Sequence, residues 1–256
     1  ERAMKFMLGP MLALAIASTA QAAPFDLYEQ GKYDDAIAAG VAQNDGAGFA
    51  IAARAALAAE TMRGAPCLDC LKRAENFARQ AVAADPKNPD GHVFLAVALG
   101  REGRLVGAFT VVSQGFASQA KEHLDAALAA DPKNAFAWAA LGGWNIEIVH
   151  KGGPRLARML YGATAEQGFS AFDRAFALAP GNVALRYQYA LTLSAYNPNA
   201  FRKNIEDALV RARDGKPNGL YEIFVQARAK ELIAALNKGD MNAYTALVSR
   251  DQGNPP

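Results

Sequence analysis

The sequence predicts an all-α protein built from repeated helix pairs, and three observations support this prediction. Alanine is abundant among the 52% apolar residues, whereas runs of Val, Ile and Thr with period two are scarce, a composition that favours helices over sheets. Similar segments recur, with 46 residues from Asn88 to Asn134 and 48 from Asn134 to Asn182. Each segment places a proline turn between two stretches of helical periodicity. Such spacing is typical of helical repeats.

The N-terminal residues 1–23 have the pattern of a secretory signal peptide. Lys5 precedes an apolar stretch at residues 7–17, and the sequence Ala20-Gln21-Ala22 provides small residues at the cleavage positions. The alternative is an ordinary buried N-terminal helix. The signal peptide predicts export, and its composition suits the periplasm of a Gram-negative bacterium.

Export would leave a mature helical repeat domain at residues 24–250 and a short disordered tail at residues 251–256. Removing Glu1, Arg2 and Lys5 leaves 25 basic and 24 acidic side chains. A nearly neutral chain lacks the basic excess that nucleic-acid binding needs, so we expect no nucleic-acid partner. No later stretch reaches about 18 uninterrupted apolar residues, so we expect no transmembrane segment in the mature chain.

The repeated segments explain where their helices end and begin. They occupy residues 74–95, 120–141 and 168–189. Each ends one Ala-rich helix, turns through a proline, and starts the next helix after an asparagine. Proline does not continue a helix, and asparagine is a good N-cap. The turn sequences are Asp85-Pro86-Lys87-Asn88, Asp131-Pro132-Lys133-Asn134 and Ala179-Pro180-Gly181-Asn182.

The small residues around these turns carry a family resemblance. In the middle segment Ala120, Leu124 and Ala127 precede Pro132, and Trp138 follows it with Leu141 and Gly142. This pattern resembles a tetratricopeptide repeat. The resemblance implies a right-handed α–α superhelix in which small residues allow pairs of helices to cross closely.

The repeats are longer than the usual tetratricopeptide unit of about 34 residues, and the excess lies at residues 101–119 and 145–167. The second insertion reads as an extended helix, a Gly-Gly-Pro break before Arg155, and a short extra helix. Together with Trp138 and Trp144 it is similar to the regulator-of-microtubule-dynamics family. That resemblance implies a role in holding or moving lipids. Helical periodicity continues to Val248, and a capping helix is expected near residues 221–237.

Catalytic chemistry is hard to find in this sequence. His92, His123 and His150 have no metal-ligand spacing, and phosphate-binding glycine motifs and hydrolase motifs are absent. His92 occupies the position of Trp138 in the next repeat, which favours a packed structural histidine. We therefore expect a protein without enzymatic activity, metal or cofactor.

Cys67 and Cys70 have a spacing seen in redox-active and metal-binding proteins, because they are three residues apart just before a predicted helix. In an oxidising compartment such a pair is expected to form a structural disulfide. Redox activity and metal binding stay open as less favoured alternatives.

The binding surface is expected on the concave side, which the first helices of stacked repeats line. The repeat register predicts an exposed apolar stripe there. Its members are Val93, Val97, Phe136, Gly143, Ile146, Tyr187 and Leu191. Lys151, Arg155 and Arg158 are expected near its rim. The alternative is that the insertions fill the groove, so that these residues belong to the core. Trp138 and Trp144 are likewise expected to pack in the protein rather than to bind a ligand.

Two functions remain. The first is a periplasmic scaffold whose groove binds a protein partner. The second is a carrier of a lipid or another apolar ligand, whose acyl chain lies on the stripe while the rim cations pair with an anionic head group.

Overall fold

The computed structural model describes residues 22–255, so the predicted signal peptide lies almost wholly outside the described residues. The described chain contains thirteen helices and no strand, which confirms the all-α prediction. The helices are α1 Pro24–Glu29, α2 Tyr33–Gln43, α3 Gly46–Met62, α4 Leu68–Ala84, α5 Pro89–Leu105, α6 Ala108–Ser113, α7 Phe116–Ala130, α8 Ala135–Tyr161, α9 Ala165–Leu178, α10 Val183–Tyr196, α11 Arg202–Asp214, α12 Gly219–Lys238 and α13 Met241–Asp251.

Most helices pack against their neighbours in sequence, as expected for a helical solenoid. Helix α4 packs on α5, α7 packs on α8, and α10 packs on α11. Helix α5 also packs on α7, and the short α6 connects these two helices in sequence. The chain therefore forms a stack of antiparallel helices rather than a closed bundle with one central core.

The predicted asparagine caps are present at the start of α5, α8 and α10. The side-chain oxygens of Asn88, Asn134 and Asn182 accept hydrogen bonds from the backbone N–H three residues later, at 2.7, 2.9 and 2.9 Å. Each bond satisfies an N–H that the first turn of a helix leaves without a partner. Asp85 and Asp131 accept a further backbone bond two residues on, which tightens the turn.

A second repeated contact ties each of these helices to the turn before it. Each bond joins a side-chain nitrogen to the carbonyl oxygen of the turn proline six residues earlier. The pairs are His92 Nε2 to Pro86 at 3.0 Å, Trp138 Nε1 to Pro132 at 2.9 Å and Arg186 Nη2 to Pro180 at 3.4 Å. Three different residue types perform one task, so the three repeats share a structural register as well as a sequence pattern.

The small residues of the repeat lie where helices cross. Ala120 and Ala127 of α7 are buried. A Cβ atom added at Gly142 would lie 2.6 Å from the ring of Phe172 and 2.9 Å from the carbonyl oxygen of Gly168. Contacts this short leave no room for a side chain, so α8 and α9 approach backbone to backbone at this point.

The two insertions add helical segments to the stack. The first forms α6 and the turn into α7. In the second, α8 runs on past the ordinary repeat length and is interrupted at Gly153, whose φ of 74° and ψ of 158° are not helical. Pro154 then begins a new helical segment that ends at Tyr161, so the predicted Gly-Gly-Pro break is confirmed.

The C-terminal region adds three helices, including α12 at the position expected for a capping helix. Tyr187 of α10 belongs to a buried cluster with residues of α11, α12 and α13, among them Leu209, Leu232 and Tyr244. The predicted disordered tail begins at Asp251, which ends α13 in the structure. Gln252 accepts from the Arg104 side chain of α5 through its backbone carbonyl and donates its side-chain amide to the Leu191 carbonyl of α10.

Candidate functional site

The predicted apolar stripe is not exposed as a whole. Val93, Ile146, Tyr187 and Leu191 keep only 2%, 1%, 6% and 2% of their surface accessible, so the prediction that they are exposed is wrong. Val97, Phe136 and Gly143 are partly buried. The seven residues of the stripe lie on three helices, α5, α8 and α10, and one repeat register does not fix which way each helix faces.

Two different causes bury these four side chains. Val93 packs with Ala127 and Ala137, and Ile146 lies so close to α9 that a Cβ at Gly168 would meet it at 2.6 Å. Both therefore face neighbouring helices of the stack. Tyr187 and Leu191 do face the groove, but α12 and α13 cover them. The groove is thus filled by the C-terminal helices and not by the insertions.

The C-terminal segment is held in place by specific polar contacts. The Tyr187 hydroxyl donates to the Asp251 carboxylate at 2.5 Å. Gln252 donates its side-chain amide to the Leu191 carbonyl at 3.2 Å and accepts from Arg104 through its own backbone carbonyl at 3.3 Å. Arg250 pairs with Asp251 at 2.7 Å. The inner face of the stack therefore holds the end of α13 and the turn after it through side-chain and backbone groups together.

A polar cleft of about 130 Å³ stays open beside this segment. It lies between the inner sides of α8 and α10 and the residues that follow α13. Its walls include Gly143, Ile146 and Lys151 of α8, together with Gln188 and Thr192 of α10. Three of the predicted site residues are thus brought together here, while Val93, Val97 and Phe136 are not among the lining residues.

An ion pair forms one wall of the cleft. The Arg104 guanidinium donates to both Glu147 oxygens, at 3.1 and 2.7 Å. Burial alone would raise the pKa of Glu147, but the charge and hydrogen bonds of Arg104 outweigh burial and hold that pKa below its usual value. Glu147 therefore stays ionised and neutralises Arg104. Lys151 makes no ion pair within the described chain, so it supplies the uncompensated positive charge of the cleft.

The other two predicted rim residues lie elsewhere. Arg155 and Arg158 follow the break at Gly153 and are exposed on the short terminal segment of α8. They do not line the cleft. The break redirects the helix axis, so spacing along an uninterrupted helix could not place them.

Exposed apolar side chains on both insertions are a feature that sequence reasoning missed. Phe109 and Val112 of α6 are 85% and 73% exposed, and Leu156, Met159 and Leu160 of the α8 end segment are 51%, 71% and 62% exposed. The sequence did carry a signal for this exposure, because cations alternate with large apolar residues after Pro154. In the structure only Ala157 among residues 154–160 is buried. The short length of the segment hid this pattern.

Cys67 and Cys70 form a disulfide in the structure, with their Cα atoms 5.2 Å apart. The bridge lies at the start of α4, where the Cys67 sulfur also accepts from the Cys70 backbone N–H at 3.2 Å. Neither cysteine keeps a free thiol, and the bridge constrains the backbone where the chain enters α4.

The histidines and tryptophans make local packing contacts. His92 meets His123 through their Nδ1 atoms at 2.9 Å, and burial together with the neighbouring His92 lowers the pKa of His123. The His150 ring packs edge-on to Tyr196. Trp144 donates to the Ala117 carbonyl at 2.9 Å. Within residues 22–255 no three potential metal ligands of the His, Cys, Asp or Glu type come together.

None of the helices within residues 22–255 combines the length and the apolar character needed to cross a bilayer.

No curated protein sequence matches the chain. A family model described as regulator of microtubule dynamics protein 1-3 matches residues 50–199. These residues run from α3 past the end of α10 and so include both insertions and most of the cleft. Because the match covers more than half of the chain, the protein belongs to the family of regulator of microtubule dynamics proteins 1-3.

Proposed function

We propose that the protein is a non-enzymatic scaffold of tetratricopeptide type that binds an extended segment of a partner protein on its concave side. The observation that carries this proposal is the groove's own occupant. The C-terminal segment lies there through the contacts of Tyr187, Leu191 and Arg104 with residues 251–252. A face that holds the last turn of α13 and the residue after it by backbone and side-chain bonds has polar groups that can also hold a partner segment beside it.

The cleft next to this segment is where we expect the partner. Gln188 is exposed on its wall, and Lys151 supplies a positive charge without a paired carboxylate. A partner segment with a carboxylate and hydrogen-bonding side chains would complement this lining. The ionised pair of Arg104 and Glu147 forms a rigid wall and adds no net charge.

We place this binding in the periplasm. The support is the signal-peptide pattern of residues 1–23, with its charged start, apolar core and small-residue cleavage pattern. The disulfide between Cys67 and Cys70 suits an oxidising compartment.

Carriage of a lipid or another apolar ligand draws less support from the geometry. Four of the apolar residues expected to line the carrier site are buried by other helices. Val93 packs against α7 and α8, Ile146 against α9, and Tyr187 and Leu191 against helices of the C-terminal region. The open cleft measures about 130 Å³, whereas sites for small molecules usually measure about 300 to 1,000 Å³. An acyl chain would need the C-terminal helices to move away first.

Site-specific photocrosslinking tests the proposal. A photoreactive amino acid replaces Gln188 in the cleft or, as a control, the exposed Lys203 of α11, and crosslinking is done in intact cells that export the protein. We expect a defined protein adduct from position 188 that is absent from position 203.

A blocking variant tests whether the adduct depends on the cleft. An added Cβ at Gly143 meets only Thr192, at 3.9 Å, so Gly143→Gln should fold normally and extend into the cleft. Gly100→Gln is the matched control, because Gly100 is an exposed helical glycine with nothing within 4 Å of its Cβ position. Loss of the adduct in the first variant alone is the expected result. An adduct that survives Gly143→Gln would contradict binding in the cleft.

A further inference from the structure

Trp144 lies close to parts of both insertions. Val111 of α6 and Trp144 both pack against the buried cluster that contains Phe116. On its other side Trp144 packs with Tyr161 at the end of α8, with ring centroids 6.2 Å apart. The two insertions therefore flank Trp144. We call the exposed residues they carry the insertion face, defined as Phe109, Val112, Leu156, Met159 and Leu160.

The insertion face is unusually apolar for this protein. Phe109 and Met159 are 85% and 71% exposed, and their side chains are the most accessible of the large apolar ones at α6 and the α8 end segment, respectively. Soluble proteins seldom expose such side chains in groups without a partner. The burial of Ala157 and the exposure of its neighbours make the segment after Pro154 a short amphipathic helix that lies on the stack.

The charge around this face has one sign. Residues 105–120 contain no charged side chain, and residues 148–165 contain Lys151, Arg155 and Arg158 but no Asp or Glu. The flanking acids, Glu147 and Glu166, lie near Lys151 and Arg158 but form no ion pair with them in the described chain. Glu147 is paired with Arg104, and Glu166 forms no ion pair with any of the three cations in the described chain. The insertions thus concentrate three cations in a chain that has 27 basic and 25 acidic residues.

We propose that the insertion face docks on the surface of a membrane that contains anionic phospholipid. The apolar side chains enter the boundary between head groups and acyl chains, and the cations pair with lipid phosphates. Arg155 and Arg158 alternate with Leu156 and Met159 in the same helical turns. Arginine reaches the head groups from such positions while its alkyl stem stays with the apolar surface.

The area of contact predicts a weak and reversible attachment. The α6 helix has six residues and the segment after Gly153 has eight, so few side chains enter the lipid. Three cations then contribute a large share of the affinity. Binding should therefore fall with ionic strength, since salt screens exposed charges over about 8 to 10 Å. The insertion face shares only Lys151 with the polar cleft, so variants at Phe109, Arg158 and Met159 test membrane docking separately from the proposed protein partner.

Vesicle sedimentation tests the docking directly. Purified full-length mature protein is spun with vesicles of phosphatidylcholine that contain phosphatidylglycerol, and with vesicles of phosphatidylcholine alone. We expect sedimentation with the first and little with the second, with salt reducing the bound fraction. Arg158→Glu should weaken binding about five- to thirtyfold, because it removes one attraction and adds a repulsion.

Matched variants separate the insertion face from the rest of the surface. Met159→Glu should abolish most binding, whereas Ile223→Glu changes another exposed apolar residue, 52% accessible on α12, and should not. Arg174→Glu gives the same charge change as Arg158→Glu at an exposed position on α9 that has no ion pair in the described residues. All four positions are exposed, and thermal melts will verify that the variants fold.

A second measurement reports insertion itself. A Phe109→Trp variant should gain fluorescence that is quenched by lipids brominated on the acyl chains. The proposal is overturned if the wild type ignores anionic vesicles or if Met159→Glu and Ile223→Glu bind them equally. It is also overturned if the insertion face instead binds a protein partner with no lipid present.

Discussion

Glu102 is the residue whose environment conflicts most with its charge. It lies on α5 with 2% of its surface accessible, and its Oε1 atom has no hydrogen-bond partner within the described chain. Burial, and then the nearby carboxyl group of Glu75, raise its pKa to about 7, although Lys72 and Arg79 oppose this shift. A buried carboxyl group that must ionise near neutral pH destabilises the fold.

The sign of the resulting pH dependence follows from the raised pKa. The folded state holds the Glu102 proton more tightly than the unfolded state does, so this contribution to stability is complete below about pH 4.5. It is lost as the pH rises towards the folded-state pKa of about 7. We predict that Glu102→Gln raises the free energy of unfolding at pH 8 by about 1 to 3 kcal/mol. Urea denaturation at pH 8 and pH 4.5 measures the change.

The change in the free energy of unfolding caused by Glu102→Gln should differ between pH 8 and pH 4.5. The gain should shrink or vanish at pH 4.5, where Glu102 is already neutral in the folded state. Glu122→Gln, at an exposed position on α7, serves as the control and should change little at either pH. An equal gain at both pH values would mean that packing rather than proton binding separates Glu102 from Gln.

At the scale of helices, the crossing of α8 and α9 depends on two glycines. An alanine at Gly142 places its Cβ 2.6 Å from Phe172 and 2.9 Å from the Gly168 carbonyl oxygen, and the second of these atoms is backbone. We predict that Gly142→Ala destabilises the protein by about 1 to 3 kcal/mol, even though alanine is the better helix former. Thermal or urea unfolding measures the loss.

Gly100→Ala is the matched control for this crossing. Gly100 also lies inside a helix, but no atom lies within 4 Å of its Cβ position. Only the helix preference acts there, so we expect a gain of up to about 1 kcal/mol. Opposite signs for the two substitutions identify close helix approach as the cause. A gain at both positions would show that α8 and α9 can separate without cost.

Elements set by local chemistry were predictable from the sequence, and elements set by distant packing were not. The turn after Pro132, the cap at Asn134 and the break before Pro154 each depend on residues within one or two turns of the chain, so their patterns are readable. The burial of Tyr187 depends on α12 and α13, which lie tens of residues away. Ile146 was misplaced because the register of one repeat does not fix which way a longer helix faces. The disulfide was predictable, because Cys67 and Cys70 are three residues apart. The position of Arg155 outside the cleft was not, because it depends on the direction of the helix after the break at Gly153.

At the scale of the whole molecule, the C-terminal segment joins parts of the stack that the repeat order keeps apart. Asp251 contacts Tyr187 of α10, and Gln252 accepts from Arg104 of α5. A simple solenoid has contacts between neighbouring repeats only, and its stability is close to a sum over them. The returning C-terminal segment adds contacts across several repeats, so unfolding should be more cooperative than in an open stack.

The bond between Tyr187 and Asp251 tests how firmly the C-terminal segment is held on the stack. Burial, the Asp251 charge and the hydrogen bond all raise the pKa of Tyr187, so its hydroxyl stays protonated and donates at neutral pH. We predict that Tyr187→Phe lowers the free energy of unfolding by about 1.5 to 3 kcal/mol, as expected for a hydrogen bond to a charged group. Tyr189→Phe is the control, because its hydroxyl makes no hydrogen bond to described residues. In hydrogen exchange, Tyr187→Phe should also speed exchange along α13 while α2 to α4 stay protected. Faster exchange throughout the stack would mean that the C-terminal segment stabilises every repeat, and unchanged exchange in α13 would show that Tyr187 does not hold it.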